Sequence, residues 1–352
     1  MNKLLLGILT GSDSESGIRW LSACNRKGID ADVIDLTSSR ALQNIMAKPY
    51  DLFLLRPPGS IERFKNLYDE RLYHITRALK TPMFPTFFEN YIYENKKSLS
   101  AFLTLEGIPH PKTDVFYRYE EVKEFLDVAK YPIVAKTSIG AASSGVKILR
   151  NKEEAHRYCK QAFVGKGIKR RFGPNKYVGT PQSWFTKTIN DPQFFKRKLL
   201  GYFKAYGEVQ KGYVILQEYV EHEFEWRVAK IGDSYFAYKK FKVGDIASGT
   251  KNLGFGEPPH DLLDFVRDIS EKYGILTAAF DIFESGGRYL INEIQTIFGH
   301  KFDHILEVDG EPGRYIYDSG KWVFEEGMFN SNESYDLRLE AALIQYNKTV
   351  GK

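Results

Sequence analysis

Asp281, Glu293 and Gln295 are the residues of this chain whose types and spacing most directly suggest chemistry. They lie on two strand-like runs, 280–283 and 291–295, joined across Ser285-Gly286-Gly287. A hairpin of this kind presents Asp281 beside Glu293 and Gln295, two carboxylates and an amide oxygen, which are hard oxygen ligands suited to Mg²⁺. Strand alternation puts Asn292 and Ile294 on one face and Glu293 and Gln295 on the other. The same acids would also serve a purely structural ion pair. A second run, 131–136, ends at Lys136 and continues through Gly140, Ser143, Ser144 and Gly145 into an apolar stretch at 146–149. It reads as strand, small-residue loop, strand. Glycines and serines let the backbone amides turn toward an anion, and a lysine at the end of a buried strand is costly unless something negative meets it. Phosphate is the natural candidate, but no Gly-Lys-Ser/Thr follows, so this is not a Walker loop.

The elements that must position these groups follow from patterning. Runs 4–9, 32–36 and 51–55 read as strands, separated by helical runs such as 17–27, with Gly28 as terminator. Strands alternating with helices argue for a small parallel sheet. A helix over 61–79 and a strand over 83–87 complete a first domain, 1–95. A helix then runs from Lys96 to Glu106, stopped by Gly107 and Pro109, and mixed elements surround the Lys136 loop up to a strand at 213–219. Strands at 225–231 and 235–241 and a helix at 261–273 lead into the carboxylate hairpin. There is no internal repeat.

Composition bounds the class. The chain has 352 residues, 43% hydrophobic and 14% aromatic, enough for a sizeable core and two or three domains. The first nine residues are too short an apolar run for a membrane span and lack a convincing cleavage site, so they read as a buried strand. Cys24 and Cys159 fall in helical patterns, fit a reducing cytoplasm and carry no metal or disulfide signature. A net charge of +5 is mild, so no nucleic-acid partner is expected. The charge is nevertheless concentrated: segment 165–212 holds eleven basic and two acidic residues, which leaves the rest of the chain net acidic. Within it, Phe195, Leu199, Tyr202 and Tyr206 recur at helical spacing beside Lys196, Arg197, Lys198 and Lys204. Such a helix could meet an anionic membrane or a lipid-linked acceptor, or simply pack on its own domain, and Gly201 interrupts it.

Taken in order, residues 95–299 resemble an ATP-grasp ligase, most closely the branch of the ribosomal-protein glutamate ligases and more distantly the D-alanine–D-alanine ligases. Asn95-Lys96 before Gly107-Ile108-Pro109 looks like the family's helix start, the 133–145 stretch like its phosphate-covering hairpin, and 216–220 like its adenine hinge. Glu225-Trp226-Arg227 and the basic pair Lys239-Lys240 follow as the family pattern expects. The resemblance implies an α/β chain, an ATP-grasp fold preceded by a small Rossmann-like sheet, with a lid subdomain over 96–218 that carries the basic insertion and a large subdomain over 219–352. It implies ATP and two Mg²⁺ ions as cofactors. Lys96 and Lys136 would contact the phosphates or the adenine edge, with Gly140, Ser143, Ser144 and Gly145 closing over them; Gln217, Glu218, Tyr219 and Val220 would meet the adenine, and Glu225 would lie near the ribose or the metal. Asp281, Glu293 and Gln295 would hold the metal, and Arg227 with one of Lys239 or Lys240 would stabilise the transferred phosphoryl group. The activity implied is ADP-forming joining of a carboxylate to an amine, on small or glycan-linked substrates. A kinase and a nucleotide-regulated binding protein are the alternatives, and the sequence leaves a monomer or a homodimer open. Three departures stand out: Gln295 replaces an asparagine, Ile297 to His300 replace a Pro-Gly, and Ala247 stands where related ligases often have arginine. His300 and His304 could meet substrate, as could Ser12 and Glu15 in the loop after the first strand.

Overall fold

The computed structural model describes residues 4–11, 17–140, 144–170, 207–242, 244, 252–299 and 302–351. The N-terminal layer is a sheet of β1 (Leu5–Thr10), β2 (Asp30–Asp35), β3 (Leu52–Arg56) and β4 (Met83–Phe84), in the order β2-β1-β3-β4 with every pair parallel. Its central strands are continuous apolar runs because helices cover both faces. These helices are α1 (Ile18–Arg26), α2 (Ala41–Met46) and α3 (Glu62–Leu79). The strand expected over 83–87 is short, and the chain turns at once into α4 (Phe87–Ile92). The cause is a capping box: the Thr86 hydroxyl accepts from the Glu89 amide while the Thr86 amide donates to the Glu89 carboxylate. The other Glu89 oxygen accepts from the amides of Leu276 and Thr277 at 2.8 and 2.7 Å, fastening this helix to the far domain.

Next come α5 (Lys96–Leu105), capped by Asn95, and a four-stranded antiparallel sheet. Its members are β5 (Thr113–Phe116), β6 (Ile133–Lys136), β7 (Val146–Leu149) and, closing it from later in the chain, Val214–Glu218, in the order β5, Val214–Glu218, β6, β7. Helices α6 (Tyr119–Val128) and α7 (Lys152–Phe163) bury Val122, Leu126, Ala155 and Cys159 against it. Burial raises the Cys24 thiol to about 11 and the Cys159 thiol to about 12, consistent with inert core cysteines. The ends of the basic segment meet in a short antiparallel ladder between β8 (Ile168–Lys169) and β9 (Val209–Gln210), after which Val214–Glu218 is β10. The helix expected around 195–206 lies outside the described residues.

The third sheet carries the site. It comprises β11 (Phe224–Ile231), β12 (Ser234–Phe241), β13 (Leu253–Gly254), β14 (Thr277–Ser285), β15 (Arg288–Gln295), β16 (Leu306–Val308), β17 (Glu311–Asp318) and β18 (Lys321–Glu326). The main path runs β15-β14-β11-β12-β17-β16, with antiparallel pairs. Helix α8 (His260–Tyr273) packs Leu262, Leu263 and Val266 onto one face. The last helix, α9 (Tyr335–Val350), packs Leu337 and Ala341 on this core and reaches back to the N-terminal domain with its other face. Its Tyr335, Leu339 and Ala342 join Leu6, Ile8, Trp20 and Leu54 in the N-terminal core, and Lys27 pairs with Glu340 at 2.8 Å. Among the described residues, no helix is long and apolar enough to cross a membrane.

Candidate active site

Register alone assembles the centre. Arg227 on β11 lies opposite Asp281 on β14, Asp281 lies opposite Glu293 on β15, and Glu225 lies opposite Lys240 on β12. Side chains two apart on a strand share a face, so Glu225 and Arg227 point together. Arg227 makes a two-pronged pair with Asp281, both contacts at 2.7 Å, and reaches the Gln295 amide oxygen at 3.3 Å. Lys240 bridges Glu225 at 2.8 Å and Asp281 at 2.9 Å. Lys239 faces the other way, 4.6 Å from the Phe224 ring centroid and 5.0 Å from that of Trp226. Of the basic pair, the structure therefore brings only Lys240 to the cluster.

The alternation expected along β15 breaks at one place. Asp281 pairs with Glu293 but Ile282 pairs with Ile291, so Asn292 is the extra residue of a β-bulge. The bulge turns Asn292 onto the same side as Glu293. Its amide oxygen accepts from Lys136 at 2.8 Å and its amide nitrogen donates to Glu225 at 3.3 Å. Expecting Asn292 on the opposite face was wrong for that reason, and no residue pattern in the hairpin announces a bulge.

Two further lysines arrive from the start of α5 and the end of β6. Lys96, at the start of α5, lies 3.2 Å from Glu293 and 3.8 Å from Glu94. Glu94 is a second residue that sequence reasoning missed. It is buried with a left-handed backbone (φ 47°), and its carboxylate accepts from the Gly140 amide at 2.8 Å. It thus ties the small-residue loop to the helix start. Gly145 is required at its position, because a Cβ there would come within 1.8 Å of the Thr137 hydroxyl. Ser144 and Gly145 form the turn into β7, whereas Ser143 lies outside the described residues.

Electrostatics sort the acids. Burial opposes ionisation of Asp281, but Arg227 and Lys240 outweigh it and hold the carboxyl well below its usual range. Burial acts likewise on Glu293, and Lys96 with Lys136 brings it below normal. Glu94 goes the other way: burial raises it, Lys96 offsets part, and the like charge of Glu293 adds to the rise. Lys136, only 7% exposed, is pushed down to about 8 by burial, with Glu293 opposing and Lys96 reinforcing. Four cations therefore converge on a cluster of ionised acids, as a site awaiting further negative charge would require.

Among the described residues, no three Asp, Glu, His or Cys side chains gather into a self-sufficient metal cage. Mg²⁺ does not need one, since it is usually held by one or two carboxylates together with substrate phosphates and water. Two ionised carboxylates in register, with an amide oxygen two residues on, fit that requirement. The residues expected to meet the adenine are more mixed. Gln217 is buried and donates to Thr113 at 2.9 Å, so its side chain is spent within the sheet. The Glu218 side chain is exposed and its amide donates to the Lys112 carbonyl, while the Tyr219 hydroxyl accepts from Lys242 at 2.8 Å. The Val220 carbonyl is 2.7 Å from His222 Nδ1. His304 lies 3.5 Å from Glu307 and beside the rings of Phe255 and Phe302, and Ser12, Glu15, Ala247 and His300 lie outside the described residues.

No family model and no curated protein matches this sequence. Solved structures do match. The chain is similar to D-alanine–D-alanine ligase from Bacillus anthracis at 15% identity and TM-score 0.55, covering 98% of this chain and 99% of that one. It is similar to an N5-carboxyaminoimidazole ribonucleotide synthetase from Thermotoga maritima at 15% identity and TM-score 0.53, covering 97% and 76%. A RimK domain protein, described as ATP-grasp, from Sphaerobacter thermophilus matches at 16% identity and TM-score 0.51, covering 82% and 89%. The chain has the ATP-grasp fold.

Proposed function

We propose that this chain is an ATP- and Mg²⁺-dependent ligase that activates a carboxylate as an acyl phosphate and joins it to an amine, releasing ADP and phosphate. The observation that carries this reading is the convergence of Lys96, Lys136, Arg227 and Lys240 on Asp281 and Glu293, all from adjacent strands or the edge of the lid. Structures with this fold in complex with ATP, among them the D-alanine–D-alanine ligase of Bacillus anthracis, support nucleotide as the ligand. Lys96 and Lys136 would pair with the phosphates beneath the Gly140–Gly145 loop, and the backbone at 218–220 would meet the adenine. Asp281, Glu293 and Gln295 would hold Mg²⁺, which when bound neutralises charge on the phosphates.

The residues' own work is electrostatic positioning. A substrate carboxylate oxygen attacks the γ-phosphorus and the bond to ADP breaks, giving an acyl phosphate; the amine nitrogen then attacks the acyl carbon, phosphate leaves and the amine loses a proton. Arg227 and Lys240 face the charge that develops in both transfers, and Glu225 keeps Lys240 in place while Asp281 takes up the metal. No protein nucleophile is required. Substrates in this reading are small or glycan-linked acids and amines, of the kind joined when surface polysaccharides or secondary metabolites are tailored, and segment 165–212 would reach a lipid-linked acceptor. The test is ATP consumption with pooled carboxylates and amines, detecting ADP, AMP and phosphate separately, with Asp281→Asn and Glu293→Gln as controls. ADP and phosphate that require both pools and vanish in the controls support the ligase. ADP without free phosphate identifies a kinase, and ATP binding without turnover favours a docked nucleotide-regulated protein.

A further inference from the structure

Glu94 is a buried acid inside the site that the chemistry above does not use. It stands two residues before Lys96, is 6% exposed and holds a left-handed backbone (φ 47°), a conformation that glycine and asparagine adopt readily and glutamate adopts under strain. Its Oε2 accepts from the Gly140 amide at 2.8 Å and lies 3.8 Å from Lys96 Nζ. One carboxylate oxygen therefore sits between a backbone amide of the small-residue loop and a lysine ammonium. Those are the donors that the ligase reading gives to phosphate.

The contact is braced from the N-terminal domain. A Cβ on Gly59 would lie 2.5 Å from the Tyr93 hydroxyl oxygen and 3.4 Å from Glu94 Cγ, so the glycine lets this segment close onto the acid. Arg170, whose Cδ would lie 3.3 Å from a Cβ on Gly140, reaches across and donates to the Ser60 carbonyl. Glu94 is thus held between segment 59–60 and the loop it binds. A tie between loop and helix start needs only a hydrogen-bond acceptor, and a glutamine would supply one. A carboxylate does more than tie, because it competes with any arriving phosphate for the Lys96 ammonium, which Glu293 already approaches at 3.2 Å.

We propose that Glu94 is an internal stand-in for a phosphate oxygen: it takes the Gly140 amide and shares Lys96, and a nucleotide must displace it to use both donors. The contact is then autoinhibitory, weakening the hold on ATP and easing the release of ADP. This rests on the ligase reading and adds a control of nucleotide affinity to it.

Isothermal titration of the full chain with ADP, without metal, tests the assignment on the wild type, Glu94→Asn and Glu94→Gln. Asparagine suits the left-handed backbone, and its side chain is one methylene too short to reach the Gly140 amide. Glu94→Asn therefore binds ADP roughly fivefold more tightly than the wild type, and Glu94→Gln, which keeps the acceptor without the carboxylate, falls between them. A residue that only positions the loop gives the opposite sign, so weaker or equal ADP binding by Glu94→Asn overturns the proposal. Should Glu94→Asn fail to fold, a crystal structure of the wild type with ADP decides. There the Gly140 amide donating to a phosphate oxygen, with Glu94 turned away, supports the stand-in, and a Glu94–Gly140 bond kept in the complex overturns it. ADP bound by neither wild type nor Glu94→Asn sinks the ligase reading together with the proposal; ADP bound equally by both removes the proposal and leaves the ligase reading standing.

Discussion

Lys136 offers the sharpest quantitative consequence of the site's electrostatics. Burial lowers it to about 8, against an ordinary lysine value of 10.5, because its ammonium meets only the neutral Asn292 oxygen directly while Lys96 repels it. A nucleotide phosphate arriving beside it would restore the ordinary value. With a free pKa of about 8 and a bound value near 10.4, ADP affinity falls about eightfold from pH 7.5 to 9, and binding takes up about 0.2 proton at pH 7.5 but about 0.9 at pH 9. Titration calorimetry in buffers of different ionisation enthalpy, without metal, reads this uptake directly. Lys136→Met should bind ADP weakly and with no such pH dependence, and Lys136→Arg, charged throughout the window, should show none either. Equal uptake at both pH values, or uptake that survives in Lys136→Met, refutes the reasoning. The same shift has a stability sign: the unfolded chain holds the extra proton between about pH 8 and the ordinary value, so this group makes the ligand-free protein more stable as pH rises through that window, by about 3 kcal/mol in all.

Other expectations follow from single contacts. Arg227→Met leaves Asp281 buried with Lys240 alone, and should cost about 3–5 kcal/mol in urea unfolding; a loss below about 1 kcal/mol would show the pair to be dispensable. Lys239→Met removes only contacts with Phe224 and Trp226 and should cost about 0.5–1 kcal/mol with ATP turnover unchanged, whereas Lys240→Met should slow ATP turnover at least tenfold; equal effects would mean the two lysines do not differ in facing. Glu89 is raised to about 7 by burial, against the amides that favour its charge. Its folded pKa exceeds the unfolded one, so stability is lost as pH rises from about 4.5 to 7, by about 3 kcal/mol, and Glu89→Gln should flatten that part of the profile in thermal melts.

Much of the positioning was legible in the residues. Continuous apolar runs located β1 and β3, Gly28 marked the end of α1, and Asn95 capped α5 and so fixed where Lys96 begins. Asp281 facing Glu293 followed from the hairpin length. The lysines' order along the chain was readable too, but not which of Lys239 and Lys240 points inward, since alternation gives two faces without saying which is the core of the site. Asn292 escaped because a bulge is set by how two strands pair, not by either strand alone. Glu94 escaped because its role depends on Gly140, forty-six residues away. The early end of β4 was legible, for Thr86 and Glu89 stand at capping-box spacing in the sequence. The return of α9 to the N-terminal core carries no local signal at all: its buried positions, Tyr335, Leu339 and Ala342, would suit either domain.

The central claim is a carboxylate activated at the γ-phosphate of ATP, and trapping the activated acid tests it most directly. Hydroxylamine, which attacks acyl phosphates in place of the amine, should convert a carboxylate pool to hydroxamate with matching release of ADP and phosphate, and both should disappear in Asp281→Asn. Hydroxamate without ADP, AMP in its place, or phosphorylated product that resists hydroxylamine would contradict an acyl phosphate formed at this site.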